Sequence, residues 1–188
     1  MTDLLETTAL GLDGPAVERH GGFTISENAD LALASLALRR DGTDPAPFGL
    51  TLPGPGGWVQ GGGIAAFWTG PGQWMVEAPG GAARDFAGEL KSACPDASVT
   101  EQTDGWIAFE IQSHAGANAI TGLVEKLVNV DTGRICPGFA TRTGLEHMSV
   151  FVIRRSEENL AVIGMRSAAG TLWHALTHAA ARIQEGSA

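Results

Sequence analysis

WMVEAPGGAARDFAGEL, residues 74–90, decides how this chain folds, because LAVIGMRSAAGTLWHAL, residues 160–176, repeats its pattern in step without a gap. Each stretch reads as a strand, a turn of small residues and an amphipathic helix ending in leucine. Val76 aligns with Val162, Ala82-Ala83 with Ala168-Ala169, Phe86 with Leu172 and Leu90 with Leu176. An apolar run precedes each strand, so each strand reads as the second arm of a hairpin. IAAFWTG leads into the first across Gly70-Pro71-Gly72-Gln73, a turn by composition. TRTGLEHMSVFVIRR, strand-like from Thr141, leads into the second across Ser156-Glu157-Glu158-Asn159. The expected class is α+β: two related β-β-α units, with helices on one face of an antiparallel sheet as in ferredoxin-like folds.

The rest of the chain fits around these units. ASVTEQTDGWIAFEIQ holds a strand around Trp106 to Ile111, with Trp106, Ala108 and Glu110 on one side and Ile107, Phe109 and Ile111 on the other. HAGANAITGLVEKLVNV reads as a helix with Ile120, Leu123, Val124 and Leu127 as its stripe. In ADLALASLALRR the alternation of leucines slips at Ser35, which suggests a strand with a bulge, or else a short helix. Residues 41–63 are dominated by proline and glycine and read as a long loop in which only FGLTL is strand-like. Residues 1–28 lack periodicity and read as a peripheral segment, leaving residues 29–188 as a single α+β domain.

Composition narrows the functional classes. Of 188 residues, 44% are hydrophobic and 18% charged, as in a folded, soluble protein. No apolar run is long enough to span a bilayer, and the acidic N-terminus lacks a secretory pattern, so a cytoplasmic protein without membrane attachment is expected. A net charge of -9 repels phosphate backbones, so no nucleic-acid partner is expected. The basic pairs Arg39-Arg40 and Arg154-Arg155 end apolar runs and read as ordinary strand-end charges.

Candidate chemistry concentrates in residues 129–148, NVDTGRICPGFATRTGLEHM. Asp131, like Asp104, lies at a glycine turn, where its carboxylate bonds the local backbone. Cys136 reads as a buried small residue rather than a nucleophile, and with Cys94 forms no CxxC pair. Glu146 and His147, adjacent on a strand, point to opposite faces and cannot share a proton-transfer role. His174 and His178 are four apart on a helix, but HALTH lacks the glutamate of HExxH; a metal-dependent hydrolase would need His147 as third ligand. Ser167 reads as a helix cap. No GxGxxG, GxxxxGK[ST] or GxSxG occurs. No catalytic, cofactor-binding or metal residue is assigned. Of the five tryptophans, most belong in the core, and Trp58, in the glycine-rich loop, is the exposed anchor suited to an interface. Arg134 and Arg142 complete the interface candidates.

FWTGPGQWMVEAP, SVTEQTDGWIAFEI, LVEKLVNVD, ICPGFATRTGLEHMSVFVIRR and GMRSAAGTLWHAL, in this order over about residues 20 to 183, resemble the gamma subunits of heterotetrameric sarcosine oxidases. The resemblance implies part of the aminomethyltransferase folate-binding fold and a place beside alpha, beta and delta subunits. It implies that the complex oxidises sarcosine to glycine and hydrogen peroxide with tetrahydrofolate as one-carbon acceptor. FAD and FMN would belong to the beta subunit, NAD and the folate-handling domain to the alpha subunit, and zinc to the delta subunit. This chain would bind none of them and carry no catalytic residue. The alternative is an independent folate or small-ligand module, with loop 53–63 and segment 129–142 framing its pocket.

Overall fold

In the computed structural model, which describes residues 7–40 and 42–185, the chain forms two antiparallel sheets and three helices. The strands are β1 (Val17–His20), β2 (Phe23–Asn28), β3 (Ala32–Ala37), β4 (Trp58–Gly61), β5 (Ile64–Gly70), β6 (Gln73–Ala78), β7 (Ser98–Glu101), β8 (Trp106–Ser113), β9 (Ala140–Leu145), β10 (Met148–Arg154) and β11 (Asn159–Met165). The helices are α1 (Phe86–Ala93), α2 (Ala117–Leu127) and α3 (Ala169–Glu185). One sheet has the order β1-β2-β8-β11-β10-β9 and the other β4-β5-β6-β3-β7.

The α+β class holds, and each sheet carries helices on one face, but there are two sheets and they stack. Burial on both faces of the central strands demands this. Leu160 to Gly164 of β11 are buried without a break, so neither face can meet water. Between the sheets lie Leu33, Phe67 and Met75 from one and Phe151, Ile153 and Ile163 from the other. Phe67 and Phe151 meet there with ring centroids 4.9 Å apart. Outside the six-stranded sheet, α2 and α3 cover Ile107, Phe109, Val150 and Val162; outside the other, α1 covers Ala34, Leu36 and Val76.

The repeat read at 74–90 and 160–176 is a repeat of topology. In the first unit β3 is followed by the meander β4-β5-β6 and α1, and β3 pairs with β6. In the second, β8 is followed by α2, the meander β9-β10-β11 and α3, and β8 pairs with β11. The aligned Val76 and Val162 both face their own unit's helix, as do the aligned helix residues Phe86 and Leu172 their own sheet. The strand-helix segment β8-α2 thus belongs to the second unit; where the first would hold the counterpart of α2, its described residues form a 3-10 turn, Pro47–Gly49, and no α-helix.

Several local readings are corrected. Residues 17–28 are not peripheral: β2 lies between β1 and β8, and Phe23 and Ile25 are buried under α3. Short strands with exposed alternate residues leave little periodicity to see. Residues 1–6 of that segment lie outside the described residues. Segment 9–16 is tied down by the buried Glu27, whose carboxylate accepts from the N–H groups of Ala9, Leu10 and Ala16 at 2.8, 3.3 and 3.2 Å. β3 has no bulge; its pairing with β6 runs unbroken from Ala32 to Ala37. The slip at Ser35 reflects two buried faces, Leu33 turning to the other sheet and Leu36 to α1. The strand within the long loop is WVQG, not FGLTL; Trp58–Gly61 pairs with β5 across Gly62-Gly63.

Candidate functional site

The charged stretch 129–148 folds as three separate pieces. Asp131 caps a 3-10 turn, Thr132–Arg134, by accepting from the Gly133 N–H at 3.1 Å. Arg134 on that turn is exposed, and so is Cys136, against the expectation of a buried thiol, because Pro137-Gly138 turn the chain at the surface. Gly138 and Ala140 then bond across to the first unit: the Trp58 N–H donates to the Gly138 carbonyl at 2.6 Å and the Ala140 N–H to the Gly56 carbonyl at 2.9 Å. Loop 53–63 and segment 129–142 therefore meet through backbone hydrogen bonds at the start of β4 and β9, instead of framing a pocket. Arg142 is exposed on β9; its Nε donates to the Ser149 hydroxyl at 2.8 Å and its guanidinium lies 5.9 Å from the Phe151 ring centroid.

Glu146 and His147 are not strand neighbours. TRTGLEHMSVFVIRR is two strands, and these residues are the two-residue turn between β9 and β10, with φ of 42° and 69°. Positive φ at both positions is the type I′ geometry that matches strand twist, normally supplied by Asn-Gly, so the sequence carried no turn signal. His174 and His178 stack with ring centroids 5.7 Å apart. Among the described residues no three His, Cys, Asp or Glu side chains converge at metal-binding range. Ser167 sits inside a 3-10 turn, Arg166–Ala168, whose leading residue Met165 makes no side-chain cap bond.

Trp58 reverses its expected role. It is 6% exposed, while Trp68, Trp74, Trp106 and Trp173 are half-buried. Its indole N–H donates to Glu77 Oε1 at 3.0 Å. Glu77, on β6, is 1% exposed, and its Oε2 accepts from Arg155 Nη2 at 2.6 Å. Arg155, one residue past β10 in the other sheet, also grips Glu110 of β8, through Nε at 2.9 Å and Nη2 at 3.0 Å. Its guanidinium stands 5.4 Å from the Trp58 ring centroid, and Asn28 donates to Glu110 Oε1 at 3.3 Å. Burial alone would lower the Arg155 pKa, but the charges of Glu77 and Glu110 and their hydrogen bonds outweigh it and raise it further above its ordinary value. The group is a permanent cation holding two carboxylates across the sheets.

This cluster closes one end of an open cavity of about 700 Å³, walled by Trp58, Gln60, Ile64, Asn28, Glu110 and Arg155. The sequence marked it faintly: Glu77 and Glu110 are single acids inside apolar strands, WMVEAP and IAFEIQ. Arg155 is not an ordinary strand-end charge, and neither is Arg154, which is buried with Nε and Nη1 lacking hydrogen-bond partners. Chemically, the cavity offers a tryptophan wall, an amide and a carboxylate edge already engaged by arginine; such a surface orients a polar ring or holds a neighbour in register.

The two-sheet, three-helix architecture is an aminomethyltransferase-like fold. It superposes on a chain of the heterotetrameric sarcosine oxidase from Corynebacterium sp. U-96, solved in complex with pyrrole 2-carboxylate, with a TM-score of 0.71, 21% identity and coverage of 85% of this chain and 84% of that one. It also superposes on the glycine cleavage system aminomethyltransferase T from Bartonella henselae, with a TM-score of 0.56 and 12% identity over 80% of this chain and 44% of that one. The chain thus spans less than half the length of the aminomethyltransferase. At these identities the likeness establishes the fold. No protein-family model and no curated protein matches the sequence. Among the described residues no helix is long and apolar enough to cross a membrane.

Proposed function

We propose that this chain is the non-catalytic gamma subunit of a heterotetrameric sarcosine oxidase, acting in assembly with the alpha subunit. The observation that carries the reading is the near end-to-end match, over 85% of this chain and 84% of the other, to one chain of such an assembly. A whole-chain match at that length is what a cognate subunit gives, whereas the aminomethyltransferase extends well beyond it. In this reading the alpha, beta and delta subunits hold NAD, tetrahydrofolate, FAD, FMN and zinc, and oxidise sarcosine to glycine in the cytoplasm. The gamma chain supplies surface, with Arg134 and Arg142 as exposed contacts. Trp58 is withdrawn from that set because it is buried.

Co-expression with an alpha subunit tests the reading. A stable complex that carries flavin absorbance once the beta subunit is added is expected, and two chains that never associate would sink it. Within the complex, Arg134→Glu should weaken assembly at least several-fold and leave the melting temperature of the isolated chain unchanged.

The cavity beside Trp58 and Arg155 favours a second reading, an independent folate or small-ligand module. Calorimetry of the isolated chain with tetrahydrofolate separates the two: saturable, stoichiometric binding supports the module, and no heat of binding supports the subunit.

A further inference from the structure

A smaller cavity, of about 220 Å³, lies where α2, α3 and the β9–β10 turn meet. Its floor is apolar, made by Leu127, Leu145, Ala175 and Ala179. Its rim carries two cations, Lys126 from the last turn of α2 and Arg182 from the last turn of α3, beside the imidazole of His178. Glu146 is its one carboxylate, and among the described residues neither Lys126, Arg182 nor Glu146 is in an ion pair. His174 stacks on His178, and just across the turn a shallower hollow adds Arg142 and His147.

The cavity thus brings together two of the chain's 12 lysines and arginines and one of its five histidines, with a second histidine stacked on it, in a protein of net charge -9. Complementing the helix dipoles explains a cation at each helix end. It does not explain two such ends converging with exposed imidazoles on one apolar hollow.

We propose that this corner docks an acidic segment of a partner protein, one apolar side chain entering the cavity while flanking carboxylates meet Lys126, Arg182 and His178. Size and charge choose this occupant. Small-molecule sites run to roughly 300–1,000 Å³, so this cavity suits a single leucine- or phenylalanine-sized side chain rather than a whole ligand. Two fixed cations are too few to hold a nucleic-acid backbone against a net charge of -9. The chain's net charge of -9 disfavours an acidic partner on the molecule as a whole, so a local pair of unpaired cations directs where it lands. The inference does not depend on which protein supplies the segment, and so goes beyond the subunit reading.

The test uses the full chain and a labelled peptide, acetyl-Glu-Asp-Leu-Asp-Glu-amide, followed by fluorescence anisotropy. Saturable binding is expected, weakening as salt shortens the Debye length from about 14 to 6 Å. The double variant K126E/R182E should bind at least about tenfold more weakly. Ala179→Phe, which fills the cavity without altering charge, should weaken binding too, as should a peptide with serine for leucine. Circular dichroism checks that both variants fold. The proposal is overturned if the wild-type chain shows no saturable binding, if both variants bind like wild type, or if a Lys-Lys-Leu-Lys-Lys peptide binds equally well. Self-association of the chain that both variants abolish would make a second copy the occupant, and would overturn it as well.

Discussion

Arg155 in the six-stranded half of the molecule donates to Glu77 in the five-stranded half at 2.6 Å, and this pair ties the two sheets together beside Trp58. Glu77 accepts the Arg155 guanidinium on one carboxylate oxygen and the Trp58 indole on the other, so a fully buried charge has both oxygens engaged.

Removing Arg155 therefore strands a buried carboxylate. Arg155→Met should cost about 3–5 kcal/mol, since breaking a buried pair leaves the partner's desolvation uncompensated. Arg155→Met with Glu77→Met should recover much of that loss. Urea unfolding of both checks it; a single variant within about 0.5 kcal/mol of wild type would show the pair to be dispensable.

The Glu146-His147 turn is strained by two side chains at positive φ. Replacing them with Asn-Gly should raise stability by about 1–2 kcal/mol, because each non-glycine residue in the left-handed region costs about that order. Thermal unfolding should show a higher midpoint. An unchanged or lower midpoint would mean these side chains make compensating contacts.

The two thiols should differ in reactivity. Cys136 is exposed, whereas Cys94, at the C-terminal end of α1, is buried and burial raises its pKa, disfavouring the reactive thiolate. A disulfide reagent near pH 8 should modify one thiol quickly in the native chain and the second only on unfolding. Cys136→Ser should remove the fast phase.

Stability should fall in acid partly through Glu101. Burial raises its pKa, but the Thr103 hydroxyl and the Thr103 and Gln102 N–H groups, at 2.5, 2.8 and 3.0 Å, outweigh it and lower the pKa below the ordinary 4.5. A carboxylate depressed on folding stabilises above its unfolded pKa, and that contribution is lost as pH drops through the folded one. Glu101→Gln should thus be less stable than wild type near pH 7, and the gap should narrow below about pH 4.5. A gap that stays constant with pH would remove Glu101 from the acid response.

Residues 129–148, where the sequence concentrates charged and reactive side chains, fold as cap, crossing and turn, whereas the charged cluster that formed came from residues 77, 110 and 155. Spacing reports which residues share one strand or helix. It is silent about partners brought from another sheet, so Glu77 and Arg155, 78 positions apart, could not be matched by reading along the chain.

By itself the sequence determined the local elements and their repetition. The helix stripes Phe86-Leu90 and Ile120-Leu123-Val124, the hairpin at Gly70–Gln73 and the α+β class follow from periodicity and turn chemistry, which act over a few residues. Only the tertiary structure decided that two sheets stack, that residues 17–28 belong to one of them, that Trp58 is interior, and that Glu-His makes a tight turn. Those outcomes depend on which second face of a strand is covered and on what a turn must do to close a given register. Both are set by packing between distant segments.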